Sequence, residues 1–63
     1  MRNVIKELRE SRGWSQEYLG NELGVSRQTV IAIEKGKYNP SLELAFKMRE
    51  LFQMDIENMF YLN

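Results

Sequence analysis

Arg27 and Gln28 stand side by side, and both carry side chains that can form two parallel hydrogen bonds to one base. A guanidinium donates to guanine O6 and N7, and a carboxamide pairs with adenine N6 and N7. The alternative for Arg27 is a phosphate contact. Next to them, Thr29 offers a hydroxyl for a phosphate oxygen, and Ile31 an apolar group for a thymine methyl unless it packs on a neighbouring helix. Lys35, Lys37, Tyr38 and Asn39 follow as a cluster of donors. They read either as a loop gripping phosphates across a groove or as a polar turn ending at Pro40. Gln16 opens another apolar-periodic stretch, where free N–H groups and the positive end of a helix dipole would let its amide meet a phosphate.

This chemistry recognises; it does not transform. The chain has no histidine and no cysteine, which removes the commonest general base, the thiol nucleophile and the usual metal ligands. A deep pocket is not expected in 63 residues. No metal, cofactor or small-molecule effector site is expected, and an enzyme is the least supported class. The longest apolar runs are far short of the roughly 20 residues that cross a bilayer. Met1 leads into a charged amphipathic pattern where a signal sequence would be apolar, so the expected location is the cytoplasm.

The net charge is zero, an unpromising total for a partner as negative as DNA. Its distribution says more. Residues 26 to 40 carry Arg27, Lys35 and Lys37 against Glu34, while residues 41 to 63 carry Glu43, Glu50, Asp55 and Glu57 against Lys47 and Arg49. The middle is basic and the tail acidic, and Lys47 and Arg49 are expected to be solvated or paired with Glu43 and Glu50.

Recognition side chains need a frame. Apolar residues recur at helical spacing through Val4, Ile5 and Leu8, then Leu19 and Leu23, then Val30 and Ile33, then Leu44 to Phe52, then Ile56, Met59 and Phe60. Ser15, Ser26, Ser41 and Asp55 precede four of these stretches as N-cap candidates. Trp14 with Leu19, Val25 with Val30 and Met54 with Met59 have the spacing of hydrophobic staples. Glycines follow three helices, and Pro40 blocks any helix running through residue 39. The expectation is all-α: a single domain over residues 1–63, as a compact five-helix bundle with helices near 3–12, 16–23, 27–35, 42–52 and 56–61. With 43% hydrophobic and 29% charged residues the chain can fold, but a domain this small buries only about 60% of its unfolded surface.

Between Gln16 and Gly36 the sequence QEYLGNELGVSRQTVIAIEKG places Gly24 in a turn too short to let its flanking helices run parallel. Val25 plugs the angle. With Val30 and Ile33 turned inward, Gln28, Ala32 and Lys35 point outward at about 100° per residue, which adds Ala32 to the base-reading set. The pattern is a helix-turn-helix over residues 16–35.

The chain resembles the Cro and lambda-repressor-like, or Xre, family over essentially its whole length, through RESRGWSQEYLGNELGVSRQTV, IEKGKYNPSLELAFKM and IENMF. The resemblance implies a lambda-repressor-like DNA-binding domain whose recognition helix, Ser26 to Lys35, enters the major groove. It supports Gln16 as a phosphate contact, to which Ser26 is added, and matches Arg9 and Glu34 to a buried structural ion pair. It further implies a transcriptional regulator, expected to be a repressor, that binds an inverted repeat of double-stranded DNA as a homodimer. Of the apolar C-terminal residues, Tyr61 and Leu62 are then the candidate dimer contact, unless the tail folds back over its own core. Trp14, Tyr18 and Phe52 read as core. Two positions depart from the family pattern: Gly20 replaces a common alanine, and Arg49 stands where a small apolar residue is usual. The alternative reading is an antitoxin or other protein-interaction module in which DNA binding is secondary. Its affinity would depend little on salt, whereas phosphate contacts make affinity fall steeply.

Overall fold

Ser15, Ser26 and Ser41 each hold an extended backbone conformation and accept a hydrogen bond on Oγ from the N–H three residues on. Each satisfies one of the donors that a helix leaves free in its first turn. The helices they start are α2 (Gln16–Leu23), α3 (Arg27–Glu34) and α4 (Leu42–Phe52). The computed structural model describes residues 1–62 and adds α1 (Ile5–Ser11), a 3-10 turn at Ile56–Asn58 and two short strands, β1 (Arg2–Asn3) and β2 (Phe60–Tyr61).

The described residues therefore form four α-helices where five were expected. Residues 56–61 carry apolar side chains at helical spacing, but only one 3-10 turn forms there. The backbone beyond it turns to a remote partner: β2 pairs antiparallel with β1, Arg2 opposite Tyr61 and Asn3 opposite Phe60, and the N–H of Val4 donates to the carbonyl of Met59 at 3.0 Å. Asp55 takes the N-cap position without a side-chain cap bond. The same pairing starts α1 later than expected, because residues 2 and 3 are strand. Asn3 supplies the missing cap from outside the helix, its Oδ1 accepting from the N–H of Ile5 at 3.1 Å.

Ile5, Leu19, Leu23, Val30, Ile33, Met48, Phe52 and Met59 are almost wholly buried and form one core with Leu44 and Phe60. Trp14, Val25 and Met54, the expected staple residues, pack half-buried against it. Each buried aliphatic side chain contributes about 1.5–3 kcal/mol relative to exposure, and no disulfide supplements them. Phe52 lies in the core as expected, but Tyr18 is 43% exposed. It leans on Trp14 at a ring separation of 5.2 Å, and Trp14 in turn lies 5.7 Å from Phe52. Tyr18 thus caps an aromatic stack from outside. Arg12 closes the same corner, 5.0 Å from the Phe52 ring and donating to the Phe52 carbonyl at 3.1 Å.

Candidate nucleic-acid interface

The turn between α2 and α3 sets the site. Gly24 ends α2 in the left-handed conformation at φ 75° and ψ 30°, which costs glycine little and any β-carbon residue more. Its N–H and that of Val25 both turn back to the carbonyl of Gly20, the latter at 2.9 Å. Gly20 is buried, and a Cβ there would lie 2.7 Å from the Val25 carbonyl oxygen. The glycine that departs from the family's alanine is the residue that lets the turn close over α2.

On α3, Val30 and Ile33 enter the core, while Arg27 and Gln28 stand exposed at its first two positions. Thr29, Ile31 and Ala32 are half-buried along the flanks. Ser26 and Thr29 hold each other, hydroxyl to hydroxyl at 3.0 Å, in addition to the backbone cap. Lys35, Lys37, Tyr38 and Asn39 are all exposed in the segment after α3. That segment is fixed where it leaves the helix, by Gly36 N–H to Ile33 carbonyl and Lys37 N–H to Ala32 carbonyl, each at 2.9 Å.

A polar cleft joins the two helices of the motif, lined by Ser15, Gln16 and Glu17 from the start of α2, Arg27 from the start of α3, and Arg9 from α1. It brings Gln16 and Arg27, named separately from the sequence, to one place. Behind the cleft, Arg9 Nε donates to Glu34 Oε2 at 2.6 Å and Nη2 to Oε1 at 3.3 Å, with the two side chains 9% and 4% exposed. Arg9 Nη1 also donates to the Trp14 carbonyl at 2.7 Å. The hydrogen bond that Arg9 donates to Glu34 raises the pKa of its guanidinium against the opposing pull of burial. Among the described residues no buried side-chain nitrogen or oxygen lacks a partner, so this ion pair has the satisfaction that buried charges need.

Two structural roles carried no readable signal. Gln16 Nε2 donates to Glu34 Oε1 at 3.2 Å, so the amide expected to face phosphate is already held by one of its two hydrogens. Asn3 Nδ2 donates to the carbonyl of Ile33 at 2.8 Å and ties the end of α3 to β1. Asn3 lay inside the expected first helix, where an asparagine suggests nothing; only the β1–β2 pairing places it.

The remaining residues lie elsewhere. Arg49 comes within 4.0 Å of Glu50, both exposed, a contact worth little in water. Tyr61 is 40% and Leu62 88% exposed; the Tyr61 hydroxyl donates to the Asn58 carbonyl at 2.9 Å. Met59 and Phe60 supply the core, and Leu62 does not fold back over it. Among the described residues no helix is long and apolar enough to cross a membrane.

The family described as Helix-turn-helix matches residues 5–58. An uncharacterised HTH-type transcriptional regulator of Bacillus subtilis strain 168, YgzD, is 56% identical over 62 residues, which is 98% of this chain and 94% of the relative. One from Methanocaldococcus jannaschii is 55% identical over 60 residues, 95% of this chain and 91% of the relative. Among solved structures, the restriction-modification controller protein C.AhdI from Aeromonas hydrophila superposes with a TM-score of 0.77 at 32% identity, covering 89% of this chain and 85% of that one. The hypothetical transcription factor NHTF from Neisseria gives 0.75 at 30% identity, over 86% and 61%. The turn geometry, the exposed face of α3 and these likenesses together place the chain in the Xre-type helix-turn-helix family of DNA-binding transcriptional regulators.

Proposed function

We propose that the chain is a repressor that reads an inverted repeat in duplex DNA as a two-fold dimer, with α3 laid in the major groove of each half-site. The observation that carries this reading is the pair Arg27 and Gln28, exposed at the start of a helix whose opposite face is anchored in the core. In this reading Arg27, Gln28, Ile31 and Ala32 face base edges. Gln16, Ser26, Thr29, Lys35, Lys37, Tyr38 and Asn39 meet the backbone on either side and fix the register. The polar cleft between α2 and α3 is the natural seat for one phosphate, with Arg27 and Gln16 on its walls.

Two-fold docking suits the dimensions. The Cα trace spans 27 × 23 × 21 Å, so two copies with their side chains can stand side by side on half-sites about 34 Å apart, one turn of the duplex. Tyr61 and Leu62 are the proposed contact between them. So small an apolar area favours a dimer that assembles on DNA over one that persists without it. Regulation then works by occupancy of the duplex, with no catalytic step.

The test is selection from random duplex DNA, run on the wild type and on a folded Arg27→Ala, Gln28→Ala double variant. Enrichment of an inverted repeat by the wild type alone supports both the reading helix and the two-fold assembly. If neither protein enriches any sequence at low salt, the proposal fails.

A further inference from the structure

The helix α4 carries an apolar stripe that the rest of the chain does not cover. Leu42 and Phe46, one turn apart, are 71% and 50% exposed. With Leu51 they line an open groove of about 880 Å³ beside the C-terminal end of α2. A groove so open does not enclose a small molecule, and two large apolar side chains at i and i+4 are the register into which another helix packs. The groove's lining is acidic on balance: Glu22 from α2 and Glu43 and Glu50 from α4 stand against Lys47, with Arg49 outside the groove and 4.0 Å from Glu50. Lys47 leans toward one end, its Nζ 4.0 Å from where a Cβ on Gly24 would lie.

Charge selects among occupants. A nucleic acid or an anionic membrane surface would meet net negative charge here. A second copy of the chain, related by a two-fold axis through the groove, would set the same excess of carboxylates against itself. An apolar helix edged with lysine or arginine meets both the stripe and the carboxylates. We propose that this groove docks a cationic amphipathic helix of a partner protein, apart from the residues assigned to DNA.

The probe is a synthetic 16-residue amphipathic helical peptide with a leucine stripe flanked by lysine and arginine, compared with the same peptide flanked by glutamate. Fluorescence anisotropy with the full chain should show saturable binding of the cationic peptide and at least tenfold weaker binding of the anionic one. A Leu42→Ser, Phe46→Ser variant should lose at least tenfold in affinity for the cationic peptide. A Glu22→Gln, Glu43→Gln, Glu50→Gln variant should lose affinity and also most of its salt dependence. All substituted side chains are exposed, so thermal unfolding by circular dichroism should stay close to wild type and DNA binding should be retained. The proposal is overturned if both peptides bind alike, or if the serine variant binds as the wild type does. It is equally overturned if sedimentation shows that the wild type self-associates through this groove and the serine variant does not.

Discussion

Gln16 Nε2 lies 3.2 Å from Glu34 Oε1, so the first residue of α2 is bound to the last residue of α3. Arg9 reaches the same carboxylate from α1. One side chain thus holds three helices at the angle that presents Arg27 and Gln28. A Glu34→Ala variant strands the Arg9 charge in a site where it is 9% exposed. The expected loss is about 3–5 kcal/mol, a large part of the stability of any small domain. Replacing both partners, as Arg9→Met with Glu34→Leu, should recover most of it. Urea unfolding of the three proteins decides; a Glu34→Ala loss below about 1 kcal/mol would show that water reaches the pair.

The raised pKa of Arg9 fixes the sign of any pH effect. A folded-state pKa above the unfolded one gives stabilisation that is complete below the unfolded value and lost as pH rises through the folded one. Both lie in strong alkali for an arginine, so the contribution of Arg9 to the urea midpoint should be constant from neutral to mildly alkaline pH.

Base contacts and phosphate contacts should separate by substitution. Gln28→Ala is expected to relax preference at one base pair by about 1–3 kcal/mol. Gln16→Ala should weaken binding across all sequences without changing their ranking. Competition binding with single-base variants of the selected site distinguishes the two patterns, and the assignment of Gln28 fails if its variant keeps the wild-type ranking.

Lys35 and Lys37 are tested by salt. Each phosphate neutralised on duplex DNA contributes about −0.9 to the slope of log K against log salt. The Lys35→Gln, Lys37→Gln variant should therefore flatten the slope by about 1.8 if both lysines contact phosphate. Both side chains are exposed, so the unfolding midpoint should hardly move.

The positions of α2 and α4 were legible because their signals are local. Serine caps, the apolar period and a left-handed glycine all act within a turn, and the expected bounds of both helices match those observed. The two ends of the chain were not legible. Ile56, Met59 and Phe60 fit a helix by spacing, and what overrides the spacing is pairing with residues nearly the whole chain away. Strands of two residues show no alternation to read. Tyr18 was misassigned because a large aromatic next to a tryptophan that packs on the core reads the same whether it lies within the stack or on its outside. Gln53 ends α4 in the left-handed region at φ 56°, a role that glycine advertises and glutamine does not. Of the site, the exposure of Gln28 followed from the helical period, which also turned Ala32 outward although it is half-buried, whereas the bond from Gln16 to Glu34 depends on a crossing angle between two helices that periodicity does not contain.

Gly20 gives the sharpest packing test. Alanine would add up to about 1 kcal/mol of helix propensity, but its methyl would meet the Val25 carbonyl oxygen at 2.7 Å. Backbone must move to admit it, and overpacking of this kind typically costs about 1–3 kcal/mol. Gly20→Ala should therefore lower the thermal midpoint, with amide chemical-shift changes centred on Val25 and Ser26. A raised midpoint would show that the turn yields more easily than its geometry suggests.

The pairing of Arg2–Asn3 with Phe60–Tyr61 joins residues whose sequence separation is close to the largest the chain allows. Helices α2 and α3 meet through a turn of a few residues, whereas that ribbon forms only after nearly the entire chain has closed a loop, with the entropy such closure costs. The ribbon should consequently be absent from the rate-limiting folding barrier. Substitutions at Asn3 would then accelerate unfolding and leave the refolding rate nearly untouched, while those at Leu19 or Val30 would slow refolding. The helix-turn-helix would assemble first, and the chain ends would act as a clasp that sets how long it stays assembled.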